Sequence, residues 1–304
     1  MRKKIISNRI NLIFLSVLLM LGACSKNEGP TQVPNPEPPI TGPTDGIVRI
    51  LAIGNSFSED AVESHLYELA KEKKQKVIIG NLYLSGSSLE QHKLNIENNE
   101  GTYQYRKIDT TGIRINNKNK SIAFALVDEP WDYISFQEGS ANSGKLETVQ
   151  KYLPAVYNFV KTNATNPHVK YVYHQTWAYA KNSTHSAFPN YNRDQLTMYN
   201  AIANVSQQVK NIVPIDIIIP TGTAIQNGRT SSIGDNFTRD GYHLSKPMGR
   251  YTAACTWFEA IFNHSTVGMI YKPNDFSASE TAIAQNAAHM ANLKPYAITN
   301  MSNF

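Results

Sequence analysis

The chain has very few cysteines: two in 304 residues, Cys24 and Cys255. This number excludes the dense disulfide framework that stabilises many small exported domains. Cys255 lies in the apolar segment 251–258, and we interpret it as a small buried residue rather than a reactive thiol. Apart from His243, the histidines lack the spacing with other His, Asp or Glu residues that is typical of metal ligands. We therefore expect no catalytic metal and no other cofactor.

Long hydrophobic runs are also missing. The apolar segment at residues 10–20 is too short to cross a bilayer, and it follows four basic residues within the first nine. This order is typical of an export signal. The ending Leu21-Gly22-Ala23-Cys24 resembles a bacterial lipobox, which predicts a signal peptide at residues 1–23 and a lipid anchor on Cys24. An ordinary cleaved signal with an incidental cysteine is the alternative.

The mature chain has no excess of charge of one sign. The full sequence holds 29 Lys and Arg against 24 Asp and Glu, but the signal takes away four basic residues and no acidic one. The 25 basic and 24 acidic residues that are left give a net charge near +1. A balance of this kind indicates no nucleic-acid partner.

A polar segment with six prolines follows the signal, at residues 24–45. Such a segment buries too little apolar surface to offset the entropy of ordering, so we interpret it as a tether between membrane and domain. The rest of the chain, residues 46–304, has a suitable length for a single domain with a substantial core. It shows no internal repeat and no second linker.

Short apolar segments alternate with amphipathic ones along this domain. Strands are predicted at 47–53, 77–84, 133–137, 169–174 and 215–219, and helices at 59–73, 147–161, 193–210 and 247–263. Fully apolar strands between helices favour a parallel sheet with both faces covered. The pattern therefore predicts an α/β domain with three layers, α/β/α, around a central five-stranded parallel sheet.

Two regions depart from this alternation. Residues 95–132 contain turn signals and alternating segments, which predict a hairpin-like insertion followed by a short helix near residues 121–127. Residues 274–304 contain one more helical segment, and Ser277 with Glu280 forms the capping-box pattern of a helix start. We interpret this last region as a C-terminal helical extension.

Two short motifs bring together the groups needed for nucleophilic catalysis. Ser56 follows the first predicted strand, and Asp240 and His243 form an Asp-x-x-His motif after the fifth. A serine hydroxyl is a weak nucleophile that needs an imidazole to accept its proton and a third group to orient that imidazole. We predict Ser56 as nucleophile, His243 as base and Asp240 as the orienting carboxylate. Read singly, each has an ordinary structural alternative as a helix cap, a surface histidine or a turn residue.

Two further strand ends carry candidate oxyanion donors. Gly86 follows the second predicted strand, where a glycine allows the backbone N–H to approach a substrate oxygen closely. Gln137 ends the third strand, and its side-chain amide can donate to the same oxygen. Because the carboxyl ends of parallel strands lie at one edge of a sheet, these residues are expected near Ser56, whose own N–H is the third donor.

With these four blocks the sequence resembles the SGNH (GDSL-like) hydrolases, and in particular a branch found among bacterial surface lipoproteins. The matching segments are Gly54-Asn55-Ser56-Phe57-Ser58, Ser85-Gly86-Ser87-Ser88, Gln137-Glu138-Gly139-Ser140 and Asp240 to His243. The resemblance covers about residues 47–262. It implies a flavodoxin-like α/β/α fold and a serine hydrolase mechanism.

The chain departs from the family pattern at two positions. Asn55 replaces the aspartate that usually precedes the serine, and Gln137 stands where the family usually has an asparagine that donates to the oxyanion. Glutamine carries the same amide on a longer side chain. Asn142 is the competing candidate for the donor role assigned to Gln137.

Aromatic residues follow the fourth predicted strand. Trp177 and Tyr179 are expected at the edge of the site, where they form a flat platform for a sugar ring or pack the loop onto the domain. Both interpretations stay open at this stage.

The resemblance and the export signal together predict an esterase that removes acyl groups, with acetyl preferred, from carbohydrates at the cell surface or in the periplasm. Its partners are then the acylated carbohydrate and, through Cys24, a membrane. A lipase- or thioesterase-type SGNH enzyme is one alternative. A non-catalytic glycan-binding lipoprotein that keeps the fold is the other.

Overall fold

A seven-stranded sheet forms the centre of the computed structural model, which describes residues 42–304. The strands are β1 (Ile47–Gly54), β2 (Lys76–Tyr83), β3 (Tyr103–Ile108), β4 (Arg114–Lys120), β5 (Tyr133–Phe136), β6 (Lys170–His174) and β7 (Ile217–Ile219). Their spatial order is β4-β3-β2-β1-β5-β6-β7, and β2, β1, β5, β6 and β7 are parallel. The predicted α/β class and the five parallel strands are confirmed. The total of five strands is wrong by two.

The two additional strands are the predicted insertion. Strands β3 and β4 form an antiparallel hairpin, and β3 pairs antiparallel with β2, so that the hairpin extends the sheet. Tyr103 and Tyr105 of β3 are buried, whereas β4 is exposed along nearly all its length. A strand without a buried face has no apolar alternation, and for this reason the sequence indicated a hairpin but not its place in the sheet.

Nine α-helices lie within residues 42–304. They are α1 (Ser56–Val62), α2 (Leu66–Glu72), α3 (Leu89–Glu97), α4 (Ile122–Asp128), α5 (Leu146–Asn163), α6 (Gln195–Gln208), α7 (Thr221–Gly228), α8 (Met248–Phe262) and α9 (Ala278–Leu293). The predicted helix at 59–73 is divided into α1 and α2. Helix α9 begins with the predicted capping box, in which Ser277 and Glu280 exchange hydrogen bonds.

Helices α3 and α7 were not predicted, for two different physical reasons. The buried face of α3 includes polar residues, His92 and Asn95, so it lacks an apolar stripe. Helix α7 is buried all round and therefore has no polar face to give it an amphipathic period.

The hydrophobic core consists of one cluster on each face of the sheet. Because strand side chains alternate between faces, β1 contributes Ile50 and Ala52 to one cluster and Leu51 and Ile53 to the other. Helices α1, α2, α8 and α9 contribute to the first cluster, and α4 and α5 contribute to the second. The three-layer prediction is confirmed. Cys255 is buried in α8, where burial raises the pKa of its thiol.

The order of the parallel strands determines where a ligand site is expected. Numbered among themselves, they run 2-1-3-4-5, which is the flavodoxin-like order. The chain passes from β1 to β2 on one side and returns to β5 on the other, and ligands bind at the carboxyl ends of strands at such a switch point. Ser56 follows β1 at this point.

The predicted signal at residues 1–23, Cys24 and most of the tether lie outside the described residues. Among residues 42–304, no helix is long and apolar enough to cross a membrane.

Candidate active site

Ser56, His243 and Asp240 form a continuous series of hydrogen bonds. The Nε2 atom of His243 lies 2.9 Å from Ser56 Oγ, and its Nδ1 atom lies 2.6 Å from Asp240 Oδ2. A carboxylate only accepts hydrogen bonds, so Nδ1 carries the hydrogen and Nε2 accepts from the serine hydroxyl. The sequence predicted this arrangement, and the structure brings all three residues together in the tautomer that a general base requires.

Asn55 holds the turn that presents Ser56. Its Oδ1 accepts from the N–H of Phe57 at 2.9 Å, which caps α1, and its Nδ2 donates to the carbonyl oxygen of Ser87 at 2.8 Å. Aspartate, which is usual in the resembled family, has no hydrogen for Ser87. The asparagine in this chain therefore ties the serine turn to the turn after β2.

A directed series of hydrogen bonds lies beneath this turn. Since Oδ1 of Asn55 is an acceptor, the Nε2 of Gln137 donates to it at 2.8 Å, and Gln137 Oε1 then accepts from Nδ1 of His174 at 3.1 Å. The Nε2 of His174 in turn accepts from the Thr221 hydroxyl at 3.0 Å. Burial lowers the pKa of His174 to about 3, so it is neutral and suited to this role. Gly54 leaves room here, because a Cβ atom on it would lie 2.8 Å from Gln137 Cδ.

The predicted role of Gln137 as an oxyanion donor is wrong. Its side chain is only 2% exposed, it does not line the cleft in front of Ser56, and its amide is bound to Asn55. Asn142, the competing candidate, does line the cleft. Neither the side-chain amide of Asn142 nor the backbone N–H groups of Ser56 and Gly86 have a hydrogen-bond partner among residues 42–304. Gly86 has φ of +64°, a conformation that favours glycine and supports the turn.

Asp60 anchors the loop that carries His243, a role that was not predicted from the sequence. The Asp60 carboxylate is fully buried, and it accepts from the N–H of Leu244 at 2.8 Å and from Arg239 Nη1 at 3.1 Å. Arg250 of α8 adds a contact of 2.6 Å from Nη2. The available signal was an acid among the apolar residues of the helix after Ser56, with an arginine directly before the Asp-x-x-His motif.

We expect Asp60→Asn to lower the free energy of unfolding by about 3 kcal/mol, because it leaves two guanidinium groups without their shared carboxylate. Urea denaturation measures this change. The matched control is Asp275→Asn, at an exposed residue, where the change should stay within about 0.5 kcal/mol. Equal stabilities of the two variants would contradict the anchoring role.

The Asp240 carboxylate lies at the edge of the site, and its side chain is 38% exposed. Burial raises the pKa of this carboxyl, but the hydrogen bonds from the His243 ring and from the N–H groups of His243 and Tyr242 outweigh it and hold the pKa below its usual range. Asp240 is therefore ionised at neutral pH and can stabilise an imidazolium on His243.

Of the two interpretations of Trp177 and Tyr179, the platform for a sugar ring is wrong, since both side chains are completely buried. Trp177 instead stacks on Phe57 with ring centroids 4.1 Å apart, and its Nε1 donates to the carbonyl oxygen of Tyr242 at 2.7 Å. The hydroxyl of Tyr179 lies 2.8 Å from Ser140 Oγ. The packing interpretation is the right one: these rings support the loops of the site from below.

Glu138 joins the two loops that carry the candidate oxyanion donors. Its Oε1 accepts from the N–H of Leu89, at the start of α3, and from the N–H of Gly139, at 2.9 and 2.7 Å. Burial raises the pKa of this carboxyl. Its contacts are those of a supporting residue.

The cleft in front of Ser56 has a volume of about 400 Å³. Hydroxyl and amide side chains contribute much of its lining: Asn55, Ser56, Ser85, Ser88, Ser140 and Asn142. His185 and Tyr242 stand beside His243 in its wall. Within residues 42–304, no group of three or more His, Cys, Asp or Glu residues is placed to hold a metal ion.

Comparison with known proteins identifies a close structural relative. A family model described as "Domain of unknown function (DUF4886)" matches residues 49–291, a range that includes all three residues of the hydrogen-bonded series. A crystal structure of a DUF4886 family protein from Bacteroides uniformis shares 44% sequence identity with a TM-score of 0.82, covering 84% of this chain and 98% of that one. No curated protein matches the sequence.

More distant solved structures include two enzymes. One is a carbohydrate esterase family 3 protein from Talaromyces cellulolyticus, with 13% identity, a TM-score of 0.47, and coverage of 71% of this chain and 97% of that chain. The other is an acetylxylan esterase from Geobacillus stearothermophilus, with 12% identity, a TM-score of 0.45, and coverage of 74% and 94%. Likeness at this level does not carry an activity over to the present chain.

Proposed function

We propose that this chain, which belongs to the DUF4886 family, is a serine hydrolase of carboxylic esters. The observation that carries the proposal is the hydrogen-bonded series from Ser56 through His243 to Asp240, at the floor of a cleft and at the switch point of the sheet. Serine, imidazole and carboxylate in this order and tautomer constitute an activated nucleophile.

In the first half of the reaction, Ser56 Oγ attacks the ester carbonyl carbon while Nε2 of His243 accepts the hydroxyl proton. The carbonyl oxygen becomes an oxyanion that faces the N–H groups of Ser56 and Gly86 and the amide of Asn142. These donors lie at the cleft and have no partner among the residues that the structure describes, so they are available to bind the developing charge. Asp240 stabilises the imidazolium during this step.

The second half releases the products. The imidazolium of His243 returns its proton to the alcohol oxygen, which leaves, and the acyl group stays on Ser56 as an ester. His243 then activates a water molecule that attacks the acyl carbon. Breakdown of this second tetrahedral intermediate frees the carboxylic acid and restores the serine.

We infer further that the substrate is a carbohydrate ester and that the acyl group is small, with acetyl preferred. The hydroxyl and amide groups around Ser56 support this inference, because a long acyl chain needs a continuous apolar wall to gain binding energy from its methylenes. The family resemblance of the sequence motifs points the same way.

A series of para-nitrophenyl esters tests the acyl preference. We expect kcat/KM to fall at least about tenfold from acetate to octanoate, since hydroxyl and amide groups interrupt the cleft wall along which added methylenes would have to pack. A lipase- or thioesterase-type enzyme gives the opposite trend, with each buried methylene contributing about 0.8 kcal/mol. A kcat/KM that rises with chain length would therefore replace the acetylesterase proposal with that alternative.

We also propose that the mature protein is a lipoprotein anchored through Cys24, with residues 24–45 as its tether. The basic start, short apolar segment and Leu-Gly-Ala-Cys ending support this. Cys24→Ala should move the protein from the membrane fraction to the soluble fraction, while its activity on small soluble esters is kept. Retention of the variant on membranes after a salt wash would place the anchor elsewhere.

A further inference from the structure

His185 lies in the wall of the cleft, yet the reaction described above gives it no part. Its ring packs against Tyr242 with centroids 4.8 Å apart, and Tyr242 packs against His243 at 4.1 Å. Tyr179 also contacts the His185 ring, with centroids 4.6 Å apart. The imidazole is therefore held in a defined plane beside the catalytic histidine.

The hydrogen bonding of His185 determines its tautomer. The backbone N–H of Ala187 donates to His185 Nδ1 at 3.1 Å, so this nitrogen carries a lone pair and not a hydrogen. In the neutral imidazole the hydrogen must then be on Nε2. Burial and the neighbouring His243 lower the pKa of His185, although Asp240 opposes them, and this favours the neutral ring. Its Nε2 has no hydrogen-bond partner within residues 42–304.

The position of the His185 Nε2–H relative to the reacting groups indicates which part of the substrate it contacts. The proton that His243 Nε2 accepts from Ser56 is returned to the leaving alcohol oxygen, so the alcohol part of the ester must lie on the His243 side of the cleft. Gly86 and Asn142, the candidate oxyanion donors, belong to the turns after β2 and β5 instead. His185 therefore faces the alcohol part of the substrate and not its acyl part.

From this geometry we infer that His185 forms a subsite for the leaving alcohol, in which Nε2–H donates to a hydroxyl oxygen adjacent to the ester. The subsite selects esters of polyols, such as sugars, over esters of simple alcohols. This inference rests on the proposed function and adds a specificity-determining residue to it. A site built to bind a hydroxyl discriminates against analogues that lack it, because its polar group is then left unpaired.

The unsubstituted protein provides the first test. Ethylene glycol monoacetate and ethyl acetate share the acyl group and differ by one hydroxyl next to the ester. We expect kcat/KM to be about tenfold higher for the hydroxylated ester, mainly through a lower KM, since a tenfold change corresponds to about 1.4 kcal/mol, within the range that one hydrogen bond contributes. Equal values for the two esters would overturn the inference.

Two variants separate hydrogen bonding to the substrate from a structural role. His185→Asn keeps an acceptor for the Ala187 N–H in an Asx-type turn but removes the group that reaches the cleft. His185→Gln keeps a side-chain N–H at about the position of Nε2 but loses the acceptor in the turn. We expect the preference for the hydroxylated ester to fall about tenfold in His185→Asn and to be largely retained in His185→Gln.

In the opposite pattern, the asparagine variant keeps the preference for the hydroxylated ester and the glutamine variant loses it. That result would show that the preference depends on the turn and not on a hydrogen bond from residue 185 to the substrate. His264→Asn, at an exposed histidine outside the cleft, is the matched control and should retain the full preference. An assay of Ser56→Ala with both esters distinguishes failure of the proposed function from failure of the subsite inference. Turnover in that variant contradicts the proposed function, whereas an inactive Ser56→Ala with an unaltered His185→Asn contradicts the subsite alone.

Discussion

Replacing Ser56 with alanine is expected to lower kcat for an acetyl ester by about 10⁵-fold or more while leaving the fold intact. The substitution removes only the hydroxyl group, whose one hydrogen bond among the described residues joins it to His243 Nε2 at 2.9 Å. Without it, His243 has no alcohol to activate, and the reaction is left with what the oxyanion donors and substrate binding supply. The remaining rate comes from water attacking directly.

Steady-state kinetics with para-nitrophenyl acetate measures this effect, and circular dichroism with thermal unfolding shows whether the variant is folded. The matched control is Ser232→Ala, at an exposed serine outside the cleft, which should keep the activity of the unsubstituted protein. A folded Ser56→Ala protein with unchanged kcat would remove Ser56 as the nucleophile. In that case the geometry around His243 would have to be explained without covalent catalysis.

The fold could be predicted wherever an element has one apolar face. The five parallel strands are short and apolar, and α5 alternates apolar and polar faces, so periodicity alone located them. The sequence did not predict helices α3 and α7 or the place of β4 in the sheet, because none of these elements has one apolar and one polar face. Strand β4 is exposed on both faces, α7 is buried on all sides, and α3 buries polar side chains. Their places are set by tertiary contacts.

The candidate site could be predicted where a short motif follows a strand. Ser56, Gly86, Asp240 and His243 all lie at the carboxyl edge of the parallel sheet or in loops beside it, and topology alone brings them near each other. The sequence alone could not decide whether Gln137 or Asn142 is the side-chain oxyanion donor. Both carry an amide, and which one faces the cleft depends on partners far away in the chain.

For Gln137 those partners are Asn55, which follows β1, and His174, which ends β6. They bind both the amide nitrogen and the amide oxygen of the glutamine below the site and leave the loop after it to present Asn142. The same reason applies to Trp177 and Tyr179. An aromatic residue after a strand serves equally well as a surface platform or as packing, and only the burial by neighbouring loops decides between them.

Asp240→Asn is expected to reduce kcat/KM by about 10⁴-fold, an effect of the size seen when a triad carboxylate is replaced by its amide. The structure gives a specific reason. Oδ1 of Asp240 accepts from the N–H groups of His243 and Tyr242 at 2.8 and 3.2 Å, and Oδ2 faces His243 Nδ1. In the asparagine variant the carbonyl oxygen must take the Oδ1 position, because the two backbone donors require an acceptor there.

The amide NH₂ of that variant then faces Nδ1 of His243 and can only donate to it. Nδ1 must accept, the hydrogen moves to Nε2, and the imidazole presents a donor to Ser56 where a base is needed. Asp240→Ala imposes no such tautomer, since it leaves Nδ1 to water at a side chain already 38% exposed. We therefore expect the alanine variant to be at least as active as the asparagine variant when kcat/KM is measured for both. An asparagine variant clearly more active than the alanine variant would show that Asp240 acts by filling space and not by fixing the tautomer of His243.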